Sequence, residues 1–381
     1  MRIGIDYTAA VRQGAGIGRF CRGLIGALAE LDRSNDYVVW SGGRGAAEPL
    51  WPANYRRLTL PLTDRHLALI WQRLRLPLPV EWITGRLDLY HSPDFVLPPV
   101  RRARTLLTVH DLSFMRHPEC SSPALYDYLI NAVPRSVAQA DLVLADSAHT
   151  QRDVIELLGV PAERTRVVYA GIEPSFRPVP DGPARQAALA RYGIEPPYVL
   201  GVGTLQPRKN FGRLIAAFCL ARERHRLPHR LVIAGGRGWL YDDILVAARE
   251  AGDAVLLAGY VDDSDLPALY SAADLFAFPS LYEGFGIPLL EAMGCGTPVL
   301  TAQASSLPEV AGDAALLVEP TDIEAIAAGL WRLLSDEALR RQLVQRGQER
   351  IRRYTWAAAA RELLAAYDQC HAMGGRRNAV G

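Results

Sequence analysis

The stretch from Phe278 to Pro298 reads Phe-Pro-Ser-Leu-Tyr-Glu-Gly-Phe-Gly-Ile-Pro-Leu-Leu-Glu-Ala-Met-Gly-Cys-Gly-Thr-Pro. The apolar run Asp274–Phe278 leads into it and predicts a buried parallel strand. A proline in the first turn predicts a short helix from Ile287, because the N–H that proline lacks has no partner there. Glycines end this helix, and Thr297–Ala302 predicts another strand. The stretch therefore predicts the strand–helix–strand unit of a parallel α/β sheet.

Two carboxylates in this stretch predict a ligand site. Glu283 and Glu291 stand eight positions apart, on either side of the predicted helix N-terminus. The loop glycines, Gly284 and Gly286, allow close approach of a ligand to the backbone. Helix N–H groups and the positive end of the helix dipole suit a phosphate or a polyol. The alternative is that both glutamates are solvated surface residues. Glu291, however, stands among apolar residues and should have a partner, which a ligand diol would supply.

The composition is that of a globular protein with more than one domain. The chain has 381 residues, which exceeds the size at which a single core usually divides. Its hydrophobic fraction is 49% and its net charge is +1, so no global field favours nucleic acid. Met1–Asp6 predicts a strand rather than a secretory signal, and no apolar run reaches the ~18 residues of a membrane span. We therefore expect a cytoplasmic protein that does not bind nucleic acid.

The first half of the chain carries two candidate site segments. A strand, Arg2–Tyr7, is followed by the glycine loop Gln13–Arg19 and a helix, the layout of a nucleotide-binding unit. Capping and packing glycines are an equal alternative for this loop. The buried strand Thr105–His110 ends where ligands bind in open parallel sheets, so His110 and Asp111 are candidates for chemistry. A histidine satisfied in the core is the alternative for His110.

The second half repeats the alternation of strands and helices. Prolines and a glycine in 174–183 predict an interdomain linker, and strand and helix patterns alternate again over 198–318. Two α/β domains with parallel sheets and right-handed crossovers follow. We expect an N-terminal domain over 1–178 and a C-terminal domain over 179–354. A final helix, 355–372, is expected to rejoin the first domain.

Several motifs together carry a family resemblance. They are Gly14–Arg19, His110–Phe114, Val202–Asn210, Gly259–Val261, the Glu283 and Glu291 pair, Ser305–Glu309 and Gly312–Leu316. With these motifs the chain resembles the retaining glycosyltransferases of family four. The resemblance implies the GT-B fold, in which two Rossmann-like domains with parallel sheets face each other across a cleft. The sequences of these motifs are most similar to those of bacterial mannosyltransferases of surface polysaccharide assembly.

The resemblance also implies roles for individual residues. Arg208 and Lys209 would meet the donor diphosphate, although which cation binds which phosphate stays open. Glu291 would bind the ribose and Glu283 the transferred sugar, while His110 would lie near the reacting carbon. The first domain would serve the acceptor and the second the donor. The remaining donor-binding residues that the resemblance implies are Gly16, Ile17, Tyr260, Val261, Gly284, Phe285, Gly286 and Ile287.

The expected reaction is retaining transfer of a hexose without a cofactor. By analogy with the related mannosyltransferases, we expect mannose from GDP-mannose. A UDP-sugar-dependent transferase is an alternative, as is a non-catalytic nucleotide-sugar-binding component of a polysaccharide assembly complex. The acidic turn Asp262–Asp265 precedes a helix, where caps and first-turn acids belong, so we expect no metal.

The acceptor leaves the widest choice. We expect a saccharide or a lipid-linked saccharide as the acceptor, because the resemblance implies a role in polysaccharide or glycan biosynthesis. The segment Arg65–Arg75 combines cations with leucines and a tryptophan, which suits an interfacial helix at the inner face of the membrane. The alternative is an ordinary amphipathic helix packed on the sheet. Peripheral membrane contact is thus an open expectation for an otherwise cytoplasmic protein.

Overall fold

The computed structural model describes residues 1–14, 16–43, 45 and 49–373. The strands are β1 (Arg2–Asp6), β2 (Asp36–Gly42), β3 (Tyr55–Leu60), β4 (Leu89–Ser92), β5 (Arg104–Val109), β6 (Leu142–Ala145), β7 (Thr165–Val167), β8 (Tyr198–Val202), β9 (Arg230–Ala234), β10 (Val255–Gly259), β11 (Leu275–Phe278), β12 (Val299–Ala302) and β13 (Leu316–Val318). The helices are α1 (Thr8–Arg12), α2 (Gly16–Leu31), α3 (Asp64–Ala68), α4 (Glu81–Thr84), α5 (Ser113–Arg116), α6 (Pro123–Gln139), α7 (Ala148–Leu158), α8 (Pro183–Arg191), α9 (Phe211–His225), α10 (Asp242–Glu250), α11 (Leu266–Ala272), α12 (Ile287–Gly294), α13 (Leu307–Ala311), α14 (Ile323–Ser335), α15 (Glu337–Arg350) and α16 (Trp356–Ala372). No helix in the described part of the chain is long and apolar enough to cross a membrane.

The first unit is built on a parallel sheet. Among the described residues it contains Met1–Leu112, Asp127–Gly171 and 356–373. Its strands run in the order β3-β2-β1-β4-β5-β6-β7. Strand β6 is buried along its whole length, which explains its continuous apolar sequence, whereas β4 is equally buried but ends in His91 and Ser92. Helix α16 packs on α2, where a Cβ on Gly23 would lie 2.1 Å from Trp356.

The second unit repeats this design. It contains Ser113–Tyr126 and Ile172–Thr355. Its parallel strands run in the order β10-β9-β8-β11-β12-β13, so the order reverses between β8 and β11, as it does between β1 and β4 in the first unit. Helices α9 and α14 pack together over this sheet. The predicted α/β class with two parallel sheets is therefore confirmed.

The structure adds an element that the sequence did not predict. The short helix α1 stands between β1 and the glycine loop, where a direct strand-to-loop connection was expected. The glycine loop itself is described except for Ala15, which lies outside the described residues. Helix α7 begins after Ser147, whose hydroxyl accepts the N–H of Thr150 at 3.0 Å and caps the helix.

The extents of the two units differ from the predicted ranges 1–178 and 179–354. Residues 113–126 group with the second unit rather than with the first. Two contacts hold this segment there. The indole of Trp239 donates to the Cys120 carbonyl oxygen at 2.7 Å, and the rings of His117 and Tyr282 meet at 5.9 Å. Such contacts join distant parts of the chain and have no local sequence pattern.

Candidate active site

Three charged candidate residues of the second unit lie at the carboxyl ends of two neighbouring strands. Arg208 and Lys209 occupy a helical turn after β8, and Glu283 occupies the loop after β11. The Leu281 N–H donates to the Arg208 carbonyl oxygen at 2.9 Å and joins the two loops. Because the strand order reverses between β8 and β11, this is the switch point where open α/β sheets bind ligands.

Glu283 binds both cations. Arg208 Nη1 donates to Glu283 Oε2 at 2.8 Å, and Lys209 Nζ donates to Glu283 Oε1 at 2.7 Å. Arg208 Nη1 also donates to the Tyr282 carbonyl oxygen at 2.7 Å, and the Lys209 ammonium lies 4.8 Å from the centre of the Phe278 ring. The exposed fraction is 15% for the Arg208 side chain, 12% for Lys209 and 8% for Glu283. The solvated alternative for Glu283 is therefore wrong, and its carboxylate is the centre of a buried charge cluster.

This cluster favours the ionised form of Glu283. Burial alone would raise the pKa of Glu283, but the charges of Arg208 and Lys209 and the hydrogen bond from Lys209 hold it below its ordinary value. The two cations share this one carboxylate. In a site so little exposed to water, cations are weakly screened, and such a site favours an anionic ligand.

The loop after Glu283 is held in a fixed backbone conformation. The Ser306 hydroxyl donates to the carbonyl oxygens of Glu283 at 2.8 Å and Phe285 at 3.0 Å, and the Glu283 N–H donates to the Ser305 hydroxyl at 2.8 Å. Gly286 has φ of +105°, and a Cβ there would lie 2.9 Å from the Leu307 side chain. These contacts hold Gly284, Phe285 and Gly286 at the start of α12, whose first residue is Ile287. The expected sugar and phosphate contacts of these four residues stay a prediction.

Glu291 has a partner within the protein. Its side chain points into the second unit, with the residue 1% exposed, and its Oε2 accepts the Tyr270 hydroxyl at 3.0 Å. The surface alternative is therefore wrong for Glu291 as well. A carboxylate that accepts one hydroxyl can accept further hydrogen bonds, because its two oxygens have about four acceptor sites. Its assignment to the donor ribose stays a prediction.

The segment that was expected to frame the base follows β10. Tyr260 is 64% exposed, whereas Val261 is buried. In the acidic turn beyond it, the Asp265 carboxylate pairs with Arg191 and accepts the Tyr192 hydroxyl at 2.8 Å. Asp265 stands at the helix N-cap position but makes no side-chain cap, so the capping interpretation is wrong for this residue. Within the described residues, no group of three or more His, Cys, Asp or Glu side chains is arranged to hold a metal.

In the first unit, His110 has both ring nitrogens bound by the protein. It follows β5 and is 5% exposed. Its Nδ1 lies 2.8 Å from Asp146 Oδ2, and its Nε2 lies 2.8 Å from the Pro93 carbonyl oxygen. Since a carbonyl oxygen only accepts, Nε2 carries a proton, and the Asp146 carboxylate is the natural acceptor for a proton on Nδ1. The rings of Phe20 and Phe95 pack edge-on against the imidazole at 5.1 and 5.4 Å.

These contacts favour the protonated form of His110. Burial alone would lower its pKa, but the charge and hydrogen bond of Asp146, with the Asp94 charge and the Pro93 carbonyl, raise the pKa of His110 to about 9. Burial also raises the pKa of Asp146, although the charge and hydrogen bond of His110 oppose that rise. A protonated His110 can stabilise nearby negative charge. Its position beside the donor sugar stays a prediction.

The glycine loop has features of both proposed roles, helix packing and anion binding. A Cβ on Gly18 would lie 1.9 Å from the Gln13 carbonyl oxygen, so this glycine serves helix packing. Gly16 opens α2 and has nothing within 4 Å of a built Cβ. Gly16 and Ile17 therefore lie at a helix N-terminus with open space at the first of them, the setting that anion binding requires. Their contact with donor phosphates stays a prediction.

Three residues complete these sites without having been singled out by sequence. Asp146 follows β6 as His110 follows β5, and neighbouring parallel strands end at the same edge of the sheet. This placement is a signal that could have identified Asp146. Ser306 lies in a motif that was recognised but given no role. Tyr270 lies in α11, and nothing in its local sequence indicates a contact with Glu291.

Comparison with known proteins identifies the family. Residues 14–176 match the family described as Glycosyltransferase Family 4, and residues 186–350 match the family described as Glycosyl transferases group 1. O-antigen chain mannosyltransferase B of Escherichia coli is 35% identical over 322 residues, which cover 83% of this chain and 84% of that protein. The chain belongs to glycosyltransferase family four. The predicted enzyme class, a hexosyltransferase, is thereby confirmed.

Two further similarities concern a second relative and a solved structure. Serotype-specific mannosyltransferase WbdA of Escherichia coli is 30% identical over 265 residues, which are 68% of this chain and 32% of that longer protein. The sucrose-phosphate synthase structure from Thermosynechococcus elongatus has a TM-score of 0.76 at 24% identity, covering 98% of this chain and 100% of that one. At this identity the structure supports the fold alone. The predicted GT-B architecture is confirmed.

Proposed function

We propose that this family four glycosyltransferase transfers mannose from GDP-mannose, with retention, to a saccharide or lipid-linked saccharide acceptor in polysaccharide assembly. The observation that carries the proposal is the buried cluster of Arg208, Lys209 and Glu283 at the switch point of the second sheet. The mannosyl group rests on the names of the related proteins, which are mannosyltransferases of Escherichia coli.

The cation cluster supplies what the leaving group needs. As the glycosidic bond breaks, negative charge grows on the diphosphate, and positioned cations in a little-exposed site stabilise that charge strongly. Arg208 presents its guanidinium from a short turn, fixed by the Tyr282 carbonyl and by Glu283. Glu283 therefore holds both cations in place before the donor binds, which avoids reorganisation during the reaction.

The side chains limit which groups move protons. A retaining double displacement needs a free carboxylate nucleophile and a separate acid across the bond. Both Glu283 oxygens accept cationic donors, and both His110 nitrogens are engaged, so neither side chain is a free base in this arrangement. We infer that transfer occurs on one face and that the departing phosphate oxygen takes the proton of the acceptor hydroxyl.

Binding of the donor falls to Glu291 and its neighbours. The Glu291 carboxylate, already held by the Tyr270 hydroxyl, suits the two hydroxyls of a ribose. Because Arg208 and Lys209 meet the diphosphate charge, the proposed reaction uses no metal or other cofactor. We also propose a cytoplasmic location, since nucleotide sugars are the donors.

A UDP-sugar donor and a non-catalytic nucleotide-sugar-binding role are the alternatives. Thermal melting with GDP, UDP and their sugar conjugates separates the donors, because a ligand at about 100 times its Kd stabilises the folded state by about 2.7 kcal/mol. We expect GDP and GDP-mannose to raise Tm more than UDP and UDP-hexoses. Slow hydrolysis of GDP-mannose without acceptor is expected of an enzyme. A larger shift with UDP compounds would replace the donor, and stabilisation without any turnover would favour the binding role.

A further inference from the structure

A surface of the first unit exposes large apolar side chains next to cations. We call it the leucine–arginine surface. Six consecutive residues, Arg73–Leu78, are exposed, and Trp82 follows in α4. Single exposed apolar residues are ordinary, but a local group of them marks an interaction site. Its apolar members are Leu69 (42% exposed), Leu74 (57%), Leu76 (41%), Leu78 (36%) and Trp82 (72%).

These leucines are exposed although the neighbouring residues 67–72 pack against the rest of the first unit. Leu67 is buried, and the Trp71 ring lies 6.0 Å from the Trp40 ring with its indole N–H donating to the Leu78 carbonyl oxygen at 2.9 Å. The Gln72 side chain donates to the Leu97 carbonyl oxygen at 2.9 Å. The inner face of 67–72 is thus filled, and the remaining leucines have no core to enter. The interpretation as an amphipathic helix packed on the sheet accounts for Leu67 and Trp71 only.

Apart from Glu81, the charged side chains of residues 65–86 are basic. Arg65, Arg73, Arg75 and Arg86 are exposed, and no ion pair involves these four arginines among the described residues. The Glu81 carboxylate in the same segment turns to the backbone, where its Oε1 accepts the N–H groups of 101 and 102 at 2.8 and 2.9 Å. Residues 101 and 102 are themselves exposed arginines and add to the positive charge.

We propose that the leucine–arginine surface binds the face of an anionic phospholipid bilayer. Leucines that alternate with arginines reach the boundary of the acyl chains, while the arginine stems extend to the anionic headgroups. A tryptophan exposed beside them is typical of the membrane–water interface. The inference goes beyond the transfer reaction and does not depend on the donor. It would bring the chain to the surface where a lipid-linked acceptor resides.

The test is binding of the full-length chain to lipid vesicles, measured without donor or acceptor. Vesicles of phosphatidylcholine with phosphatidylglycerol are compared with vesicles of phosphatidylcholine alone. We expect binding to the anionic vesicles only, weakened by salt, and about fivefold weaker for each arginine charge removed. The informative variants are Arg73→Glu with Arg75→Glu, and Leu74→Ser with Leu76→Ser. Because all four side chains are exposed, the variants should keep the wild-type melting temperature.

Matched controls come from the second unit. Val246 is 43% exposed and Arg249 is exposed on the same helix, so Val246→Ser and Arg249→Glu change surface residues of the same kinds. These controls should bind vesicles like the wild type. Equal binding of the surface variants and the controls would overturn the proposal. Absence of binding of the wild type to anionic vesicles would also overturn it. Neither result bears on the GDP-mannose assignment, which is measured with soluble donor.

Discussion

Replacement of Glu283 by glutamine tests whether one buried carboxylate holds two cations in place. Glutamine keeps the shape of the side chain and one acceptor oxygen but removes the charge. Its amide N–H₂ would then face one of the two cations that the carboxylate oxygens now bind at 2.7 and 2.8 Å. The variant therefore removes the carboxylate charge that Arg208 and Lys209 both contact.

The structure gives the size of the effect. Breaking a buried ion pair from one side costs about 3–5 kcal/mol, because an uncompensated charge remains. Arg208 keeps the Tyr282 carbonyl and Lys209 keeps the Phe278 ring, so we expect the low end, about 3 kcal/mol. For a unit of this size, that loss corresponds to a decrease in melting temperature of about 6–12 °C.

The assay is differential scanning calorimetry of the wild type, Glu283→Gln and a control, Glu250→Gln. Glu250 is exposed at the end of α10 in the same unit, so its replacement should change stability by no more than about 0.5 kcal/mol. GDP should restore stability to Glu283→Gln more than to the wild type, because the released cations bind the diphosphate. If Glu283→Gln had the same melting temperature as Glu250→Gln, the charge cluster would not exist in solution.

Two further predictions concern the histidine and the metal. The folded-state pKa of His110, about 9, exceeds the ordinary value of 6.5, so its pairing contributes fully below about pH 6.5 and is lost as the pH rises through about 9. Asp146→Asn should accordingly lower the free energy of unfolding by about 3 kcal/mol at neutral pH and by much less at about pH 10. Denaturant titrations at both pH values would measure this difference. An equal loss of stability at both pH values would contradict the pairing of His110 with Asp146. We also expect sugar transfer to survive excess chelator, since Arg208 and Lys209 meet the diphosphate charge. Complete loss of activity that magnesium or manganese restores would refute metal independence.

The fold could be predicted because its signals are local. Buried parallel strands have mainly apolar sequences, as in 274–278 and 105–110, and the helices between them follow from periodicity and caps. Helix α1 was missed because it has five residues and no side-chain cap at Tyr7, so it lacks the usual start signal. The grouping of 113–126 with the second unit depends on the Trp239 and Tyr282 contacts, which no local pattern indicates.

The candidate site could be predicted in its residues but not in its pairings. The spacing of Glu283 and Glu291 indicated two carboxylates at a helix start, and the family resemblance implied the cations Arg208 and Lys209. Arg208 lies 75 positions from Glu283, and Tyr270 lies 21 positions from Glu291, so their contacts arise only from the packed sheet. For the same reason, sequence could not choose between solvated and partnered glutamates.

Calorimetric titration of GDP into the wild type, Glu283→Gln and Glu291→Gln tests the division of the donor between the two glutamates most directly. Glu291 is assigned to the ribose, so its variant should bind GDP at least about tenfold more weakly, the value of a hydrogen bond to a charged group. Glu283 is assigned to the cations and the reacting sugar, so its variant should bind GDP at least as tightly as the wild type while transferring sugar slowly. Weak GDP binding by Glu283→Gln together with normal binding by Glu291→Gln would contradict the assignment.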